Sequence, residues 1–326
     1  MATPGKPEII TIEEHYWDKE TSSHFGPSDA MRGAPHIMER LFDYSALRIK
    51  EMDEAGIDIQ VLSHGAPSTQ RGDAATMVKV ARSANERLAE IVKAHPKRFA
   101  AFGQIPTPDP KAAADELERC VTKLGFVGAM VHGPTNGIFF DDKQFWPIFE
   151  RAQILDVPLY IHPATPKKEV ADAYYKEYLA DFPGLLTAGW GFGVECATQG
   201  IRIVLSGVLD KYPGTRIILG HMGEGLPFML WRINQALSRQ GNKDTSFSFR
   251  DRFSRHFWIT TSGNFSNPAL MCTVQEMGVD RIIFSIDYPF VPNKPGVDWI
   301  PNIPLCAEDK AKILSGNARR VLKLKQ

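Results

Sequence analysis

The chain has 326 residues, of which 43% are hydrophobic and 23% charged, with 38 basic and 38 acidic side chains. This is the composition of an ordinary globular protein with a large core, and the lack of a basic excess argues against nucleic acid as a partner. Four cysteines lie far apart without a CxxC pair, which argues against a disulfide framework or a thiolate zinc site and favours a cytoplasmic protein. The first residues do not resemble a signal peptide and no apolar run is long enough for a membrane span, so no membrane partner is expected.

Strand-like and helical patterns alternate along the chain. A first strand starting at Ile9 is followed by predicted strands at 57–63, 99–105, 126–131, 157–161, 215–219, 256–261 and 281–285. Helical patterns follow at 38–55, 73–95, 109–124, 143–155, 194–209, 227–239, 268–277 and 308–324. A polar loop at 18–36 follows the first strand, and a longer excursion at 164–190 follows the fifth.

This repeated alternation predicts an α/β fold with a parallel sheet, and eight such units predict a single-domain (β/α)8 barrel of the TIM type. An open, doubly wound sheet is the alternative architecture. No GxGxxG follows the first strand, which weakens a dinucleotide-binding version of that alternative.

Glu13 and His15 stand two residues apart at the end of the first strand. Side chains at i and i+2 lie on the same face of a strand. A carboxylate and a neutral imidazole that face one space can hold a divalent metal. The alternative is a surface glutamate with a capping histidine.

Nearly every predicted strand ends in a side chain capable of chemistry. The residues concerned are Glu13, His15, His64, His132, His162, His221, Thr261, Ser262 and Asp287. In a (β/α)8 barrel all strand C-termini meet on one face, where these enzymes keep their active sites. A single histidine after a strand is usually a turn residue, but a whole rim of them predicts one catalytic site.

We expect Glu13, His15, His162 and Asp287 to hold one metal ion, with His221 as the alternative fourth ligand. Catalytic metals commonly take three or four protein groups and keep a position open. No lysine stands near the end of the fourth strand, so a carboxylated lysine bridging two metals is not supported. Mn²⁺ and Zn²⁺ both accept this nitrogen and oxygen set, and the pattern does not choose between them.

Further candidates surround this set. Glu224 could orient His221, or it could be a first-turn acid favoured by the helix dipole. Arg232 could grip a carboxylate, or it could form an interface contact or an intrahelical ion pair. We expect His64, His132 and Thr261 to line the substrate pocket, with a purely structural role as the alternative for the two histidines.

Five motifs together resemble the amidohydrolase-superfamily decarboxylases, which include γ-resorcylate, 2,3-dihydroxybenzoate and 5-carboxyvanillate decarboxylases. The motifs are Glu13-x-His15, Ile161-His162-Pro163, Gly220-His221-Met222-Gly223-Glu224, Ile259-Thr260-Thr261-Ser262-Gly263 and Ile286-Asp287-Tyr288-Pro289-Phe290. They occur in order over nearly the whole chain. The 159–165 and 191–195 runs look closer to the carboxyvanillate branch. The 16–36 loop and the His132-Gly133-Pro134 turn depart from the family pattern, so the resemblance does not identify the hydroxybenzoate.

The resemblance implies a non-oxidative decarboxylase of an ortho-hydroxylated benzoate that uses one Mn²⁺ or Zn²⁺ and no organic cofactor. It implies that Glu13, His15, His162 and Asp287 bind the metal, that Asp287 is also the proton donor, and that His221 and Glu224 support it. Family members are dimers or tetramers in which the arginine matching Arg232 reaches a neighbouring subunit's substrate.

Two other functions remain as alternatives. The first is a metal-dependent hydrolase of a lactone, amide or related ester on the same scaffold. Hydrolytic relatives usually begin with His-x-His, so Glu13 favours decarboxylation. The second is a non-catalytic barrel, and the number of polar rim residues argues against it.

Overall fold

A computed structural model describes residues 7–26, 34–238 and 247–324 of the chain. Among these residues the parallel strands form the wall of a barrel. They are β1 (Ile10–Tyr16), β2 (Ile59–His64), β3 (Phe99–Ala101), β4 (Gly103–Gln104), β5 (Ala129–His132), β6 (Pro158–His162), β7 (Arg216–Leu219), β8 (Phe257–Thr260) and β9 (Ile282–Ile283).

The pairing order is β1-β2-β3 in one run and β4 to β9 in another, always between neighbours in sequence. Phe102 separates β3 from β4. Its N–H donates to the carbonyl of Leu62 (2.9 Å), while the next residue, Gly103, donates to Gly128 (2.9 Å). β3 and β4 are therefore two pieces of the third barrel strand, the first paired with β2 and the second with β5.

The barrel closes between β1 and the segment that follows β9. Glu14 and Tyr288 form a parallel bridge. The His15 N–H donates to the Tyr288 carbonyl (2.6 Å), and the Asp287 N–H donates to the Glu13 carbonyl (3.1 Å). The α/β barrel predicted from the alternation is confirmed, and its seam runs through the first and last predicted ligands.

The helices pack outside the strands. They are Lys19–Ser23, Pro35–Phe42, Ala46–Ala55, Ala74–Ala94, Pro110–Lys123, Trp146–Leu155, Lys168–Tyr174, Gly191–Leu205, Val208–Lys211, Leu226–Ser238, Phe249–His256, Asn267–Met277, Asn293–Trp299, Ala307–Ala311 and Asn317–Leu322. Shorter 3₁₀ turns lie at Lys143–Phe145, Pro183–Leu186, Val279–Arg281 and Ile300–Asn302, and a π-helical turn lies at Lys312–Gly316. None of the described helices combines the length and apolarity needed to cross a membrane.

Several helix boundaries differ from the sequence prediction. The predicted 38–55 helix is two helices, because the chain leaves the helical conformation at Asp43 (ψ 104°). The 194–209 helix breaks at Gly207, whose φ of 86° is left-handed. The helices Phe249–His256 and Asn293–Trp299 were not predicted, since the first is strongly polar and the second contains Pro and Gly. The last residue of the predicted 227–239 helix lies outside the described residues.

Two hydrophobic layers hold the architecture together. The inner layer fills the barrel and includes Ile10, Ile12, Val61, Phe102, Met130, Tyr160, Ile218 and Ile283. The outer layers lie between strands and helices. Asp73 and Asp109 begin two of the packed helices by accepting the N–H groups of Thr76 (2.8 Å) and Ala112 (3.0 Å), as N-cap residues do.

Candidate active site

Four side chains from β1, β6 and the segment after β9 meet at the C-terminal end of the barrel. Glu13, His15, His162 and Asp287 each present an atom able to ligate a metal, and these atoms all lie within 4.8 Å of one another. His15 Nε2 lies 3.4 Å from Asp287 Oδ1, and His162 Nε2 lies 3.4 Å from Glu13 Oε1. These are the four residues predicted from the sequence as ligands.

The two imidazoles are fixed through their second nitrogens. His162 Nδ1 donates to the carbonyl of Pro163 (2.7 Å), which leaves the lone pair of Nε2 facing the cluster. His15 Nδ1 lies 3.1 Å from Ser63 Oγ. Burial, together with the charges of the neighbouring histidines, holds the pKa of His162 well below its usual value, so this ring is the neutral form that metals bind.

Glu13 is held by three hydroxyl groups. Its Oε2 accepts from Tyr160, Ser262 and Thr260, the last at 3.2 Å. Room for the carboxylate depends on Gly220, where a Cβ would lie 2.8 Å from Glu13 Oε2. Burial and the neighbouring carboxylate raise the pKa of Tyr160 well above its usual value, so Tyr160 stays a hydrogen-bond donor.

Asp287 has a left-handed backbone, with φ of 75°, and its two oxygens face different neighbours. Oδ1 lies 3.4 Å from His15 Nε2, whereas Oδ2 lies 3.8 Å from His221 Nε2. Burial alone would raise the pKa of Asp287, but the two imidazoles outweigh it and hold that pKa below its usual value.

His221 and Glu224 occupy the tight turn after β7. Both have positive φ angles, 49° and 55°, and His221 Nδ1 lies 2.6 Å from Glu224 Oε1. Burial disfavours a charged His221, but the carboxylates of Glu224 and Glu13 more than offset it and raise the pKa of His221 well above its usual value. His221 Nε2 lies 3.4 Å from Glu13 Oε1, so it remains beside the ligand cluster.

The cluster fits a divalent cation. Glu13 Oε1, His15 Nε2 and Asp287 Oδ1 are buried and have no hydrogen-bond partner among the described residues. Buried polar atoms left without a partner are costly, and here they converge on one point. Two imidazole nitrogens and two carboxylate oxygens are the donor set that Mn²⁺ and Zn²⁺ accept.

A cavity of about 1360 Å³ opens from this cluster, more than the roughly 300–1,000 Å³ of ordinary small-molecule pockets. Its inner end is lined by His162, His221, Ser262 and Asp287, and its outer end by apolar residues that include Phe228. The cavity thus joins the titratable side chains at the cluster to an apolar wall.

A family model described as amidohydrolase matches residues 10–324. The chain belongs to the amidohydrolase family. Gamma-resorcylate decarboxylase from Polaromonas sp. strain JS666 is 40% identical to it over 328 residues, which cover 97% of this chain and 98% of the relative.

Solved structures agree with this assignment. Dihydroxybenzoic acid decarboxylase from Polaromonas sp. JS666, with bound manganese and the inhibitor 2-nitroresorcinol, has a TM-score of 0.88 and 39% identity, and 98% of each chain is covered. 5-Carboxyvanillate decarboxylase LigW from Sphingomonas paucimobilis has a TM-score of 0.90 and 33% identity, with 98% of this chain and 100% of that one covered. The predicted resemblance of this amidohydrolase to hydroxybenzoate decarboxylases is confirmed.

His64 and His132 of this amidohydrolase were predicted to line the substrate pocket. His64 is buried, donates through Nδ1 to the Gly65 carbonyl (2.8 Å) and accepts the Asp18 N–H at Nε2 (3.0 Å). Burial lowers its pKa to about 4. His132 is buried with Nδ1 3.0 Å from Gln70 Oε1. For both histidines the geometry favours the structural alternative, and a contact with substrate stays a prediction.

Thr261 and Arg232 were also predicted to bind substrate. The Thr261 hydroxyl donates to the Ser285 carbonyl (2.9 Å) and accepts the Ser285 N–H (2.9 Å), so it faces away from the cavity. Its neighbour Ser262 lines the cavity instead. Arg232 is exposed on the helix Leu226–Ser238 and is not brought to the cluster of its own chain.

Sequence reasoning missed two side chains that hold Glu13, namely Tyr160 and Thr260. Both could have been predicted from strand alternation, because Tyr160 precedes His162 by two positions and Thr260 precedes Ser262 by two. No sequence pattern indicated that position 220 must be glycine, because the reason is the close approach of the Glu13 side chain, which is distant in sequence.

Proposed function

We propose that this amidohydrolase is a metal-dependent, non-oxidative decarboxylase of an ortho-hydroxylated benzoate. The observation that carries the proposal is the convergence of Glu13, His15, His162 and Asp287 in a chain that is 40% identical, over its full length, to a γ-resorcylate decarboxylase. Identity to the carboxyvanillate decarboxylase LigW is lower, at 33%, so 2,6-dihydroxybenzoate is the first substrate to test.

Glu13, His15, His162 and Asp287 would hold one Mn²⁺ or Zn²⁺ without an organic cofactor. When bound, such a cation supplies Lewis-acid stabilisation of the negative charge on a substrate carboxylate and its ortho hydroxyl oxygen. Manganese is the metal in the related Polaromonas structure, which makes Mn²⁺ the first ion to supply.

Asp287 is the proposed proton donor because its Oδ2 lies apart from the ligand-facing Oδ1. The two imidazoles hold the pKa of Asp287 below its usual value, so Asp287 first takes a proton from His221, whose pKa is raised. That proton then passes from Asp287 to the ring carbon that bears the carboxylate. The bond between that carbon and the carboxylate then breaks, CO₂ leaves, and the electron pair restores the aromatic ring. His221, held by Glu224 and 3.8 Å from Asp287 Oδ2, is placed to return a proton to Asp287.

We also propose that the enzyme acts as a homodimer or homotetramer in which Arg232 reaches a neighbouring subunit's substrate. Arg232 makes no hydrogen bond or ion pair with the described residues of its own chain. The side chains of Phe228 (80% exposed) and Trp231 (60% exposed) flank it on the same helix. Exposed apolar patches of this kind commonly mark protein interfaces.

Two broader features complete the proposal. We propose one catalytic domain, supported by a family match that runs from residue 10 to residue 324. We propose a cytoplasmic location, supported by four cysteines that are all free, as is usual where thiols stay reduced.

Metal analysis of the purified enzyme, combined with a panel of hydroxybenzoates, tests the function. Turnover is followed by ultraviolet absorbance and CO₂ release, with and without added Mn²⁺, on 2,6-dihydroxybenzoate, 2,3-dihydroxybenzoate and 5-carboxyvanillate. We expect metal-dependent loss of at least one of these acids. Absence of bound metal, or hydrolysis of lactones without any decarboxylation, would contradict the proposal and favour the hydrolase alternative.

A further inference from the structure

Glu14, between the two proposed ligands of β1, points away from the cavity. It is fully buried and accepts four hydrogen bonds. Oε1 accepts from the Ser285 hydroxyl (2.9 Å) and the Ile286 N–H (3.1 Å). Oε2 accepts from the Tyr288 N–H (3.3 Å) and Gln60 Nε2 (3.4 Å). Neither oxygen has capacity left for a ligand in the cavity.

Two of these donors flank Asp287 on either side. The N–H groups of Ile286 and Tyr288 both end on the Glu14 carboxylate, while the N–H of Asp287 itself donates to the Glu13 carbonyl (3.1 Å). Asp287 has a φ of 75°, which a residue with a side chain keeps only when its surroundings determine it. The Glu14 carboxylate is a large part of those surroundings.

Ser285 connects Glu14 to the other side of the seam. The register between β1 and β2 shifts between Thr11 and Glu14, which marks a β-bulge. At this bulge the Ser285 hydroxyl accepts the N–H groups of Ile12 (2.9 Å) and Glu13 (2.7 Å) and donates to Glu14. A bulge re-aims the side chains that follow it. Here Ile12 belongs to the barrel interior, and Glu13, the next residue, also points inward.

Arg48 packs against the same segment and contacts the neighbours of Glu14. It is fully buried, lies over the Tyr288 ring with 4.6 Å between the guanidinium carbon and the ring centroid, and donates to the His15 carbonyl and to Gln60 Oε1 (3.2 Å). Apart from those that join Glu14 to Ser285, the side-chain hydrogen bonds of Glu14, Ser285 and Arg48 thus reach two kinds of partner. They are Gln60 and the peptide groups of Ile12, Glu13, His15, Ile286 and Tyr288.

We propose that Glu14 is a positioning residue that acts through Ser285 and sets the separation between Glu13 and Asp287 across the seam. The inference rests on the proposed metal site. Glu14→Gln keeps the volume of the side chain but turns one oxygen into an NH₂ group, which then faces two donors. One pair of hydrogen bonds to residue 14 is lost, either at Ile286 and Ser285 or at Tyr288 and Gln60. The distance between the Glu13 and Asp287 side chains then changes.

The test measures Mn²⁺ binding to the full-length, metal-depleted protein by titration calorimetry, together with thermal unfolding. We expect Glu14→Gln to bind Mn²⁺ about 10- to 100-fold more weakly, the range found when residues that support metal ligands are replaced. Ser285→Ala should weaken binding in the same range. The double variant should lose much less than the product of the two effects, because both act on one network.

Glu116→Gln is the matched control. Glu116 is also a buried carboxylate, 8% exposed, and it accepts from Asn85 (2.7 Å) and Arg119 (2.7 Å) on the helical layer away from the site. This variant should lower the unfolding temperature without changing the affinity for Mn²⁺.

Wild-type affinity in Glu14→Gln, with only the unfolding temperature lowered, would overturn the inference and leave Glu14 a structural residue. If Glu14→Gln does not fold, Ser285→Ala decides the question by the same comparison. A wild-type protein that does not bind Mn²⁺ at all would instead contradict the proposed function, so the two failures are distinguishable.

Discussion

His221 Nδ1 lies 2.6 Å from Glu224 Oε1, so the imidazole directs its other nitrogen towards Glu13 and Asp287. This short contact fixes both the ring orientation and the proton on Nδ1. The sequence alone is equally consistent with Glu224 orienting His221 and with Glu224 being a first-turn acid favoured by the helix dipole, and the geometry supports the first alternative.

Glu224→Gln should therefore reduce kcat by about 10- to 100-fold, with a smaller change in KM. The amide keeps the shape of the side chain but removes the charge that holds His221 protonated beside Asp287. Steady-state kinetics on the best hydroxybenzoate from the panel would measure this effect. A wild-type kcat would show that Glu224 does not act through His221.

Asp287→Asn should abolish turnover while substrate binding largely survives. The amide retains an oxygen that can face the metal site, but it cannot deliver a proton to the ring carbon. Turnover and equilibrium binding of the substrate should be measured on the same preparation, with the metal content determined. Turnover near the wild-type rate would show that another group is the proton donor.

Gly220→Ala should impair metal binding. The added Cβ would lie 2.8 Å from Glu13 Oε2 and 3.0 Å from Oε1, closer than real contacts allow, so the carboxylate must move. We expect Mn²⁺ to bind at least about tenfold more weakly, as for other changes that displace a metal ligand. Gly316→Ala is a suitable control, because its nearest neighbour would be the Ala311 carbonyl oxygen at 3.6 Å.

Mixing two inactive variants tests the proposed role of Arg232 between subunits. Arg232→Ala and Asp287→Asn should each be nearly inactive alone. If the subunits of a dimer re-pair at random, half of the dimers are mixed and each has one complete site, which gives about a quarter of wild-type activity. An inactive mixture, with mixed dimers demonstrated by light scattering and tags, would show that Arg232 does not act across the interface.

Glu195 predicts a pH-dependent stability. It is 7% exposed, and its Oε1 has no hydrogen-bond partner among the described residues. Burial raises its pKa to about 7 from the usual value of 4.5, although Lys167, Arg202 and Arg71 favour the charged form. The folded state thus holds this proton more tightly than the unfolded state. The resulting stabilisation is fully present below pH 4.5 and is lost as the pH rises through 7.

Glu195→Gln lacks this titration, so it should unfold at a higher temperature than the wild type at pH 8. Between pH 4 and pH 8 the free energy of unfolding of the variant should rise relative to that of the wild type. This relative rise should be at most about 3 kcal/mol, since each pKa unit corresponds to about 1.4 kcal/mol. Thermal denaturation at several pH values measures it. A difference that does not change with pH would show that Glu195 remains charged when buried.

Strand alternation predicted the barrel and a rim of candidate residues that includes the four candidate ligands. Glu13, His15, His162 and Asp287 all follow β-branched or apolar runs, and in a parallel barrel the ends of such runs converge. Nothing local shows the bulge in β1, however, because it depends on Ser285, which lies 272 residues from Glu13 in the chain.

The role predicted for Thr261 depends on which face of its strand the side chain occupies. Thr260 and Ser262 face Glu13, so Thr261 between them faces outward and binds the backbone of Ser285. A shift of one residue moves a side chain to the other face of a strand. His64 is the last residue of β2, but its two nitrogens bond the backbone of Asp18 and Gly65, whose positions are not encoded by periodicity.

The seam between β1 and the segment after β9 lies at the place where the four candidate ligands meet. A growing polypeptide that has not yet reached Asp287 holds three of these four residues and no closed barrel. A cation bound across the seam would tie the first strand to the last, and its binding free energy would add directly to the stability of the closed form. In this enzyme the catalytic centre would then also stabilise the closure of the barrel.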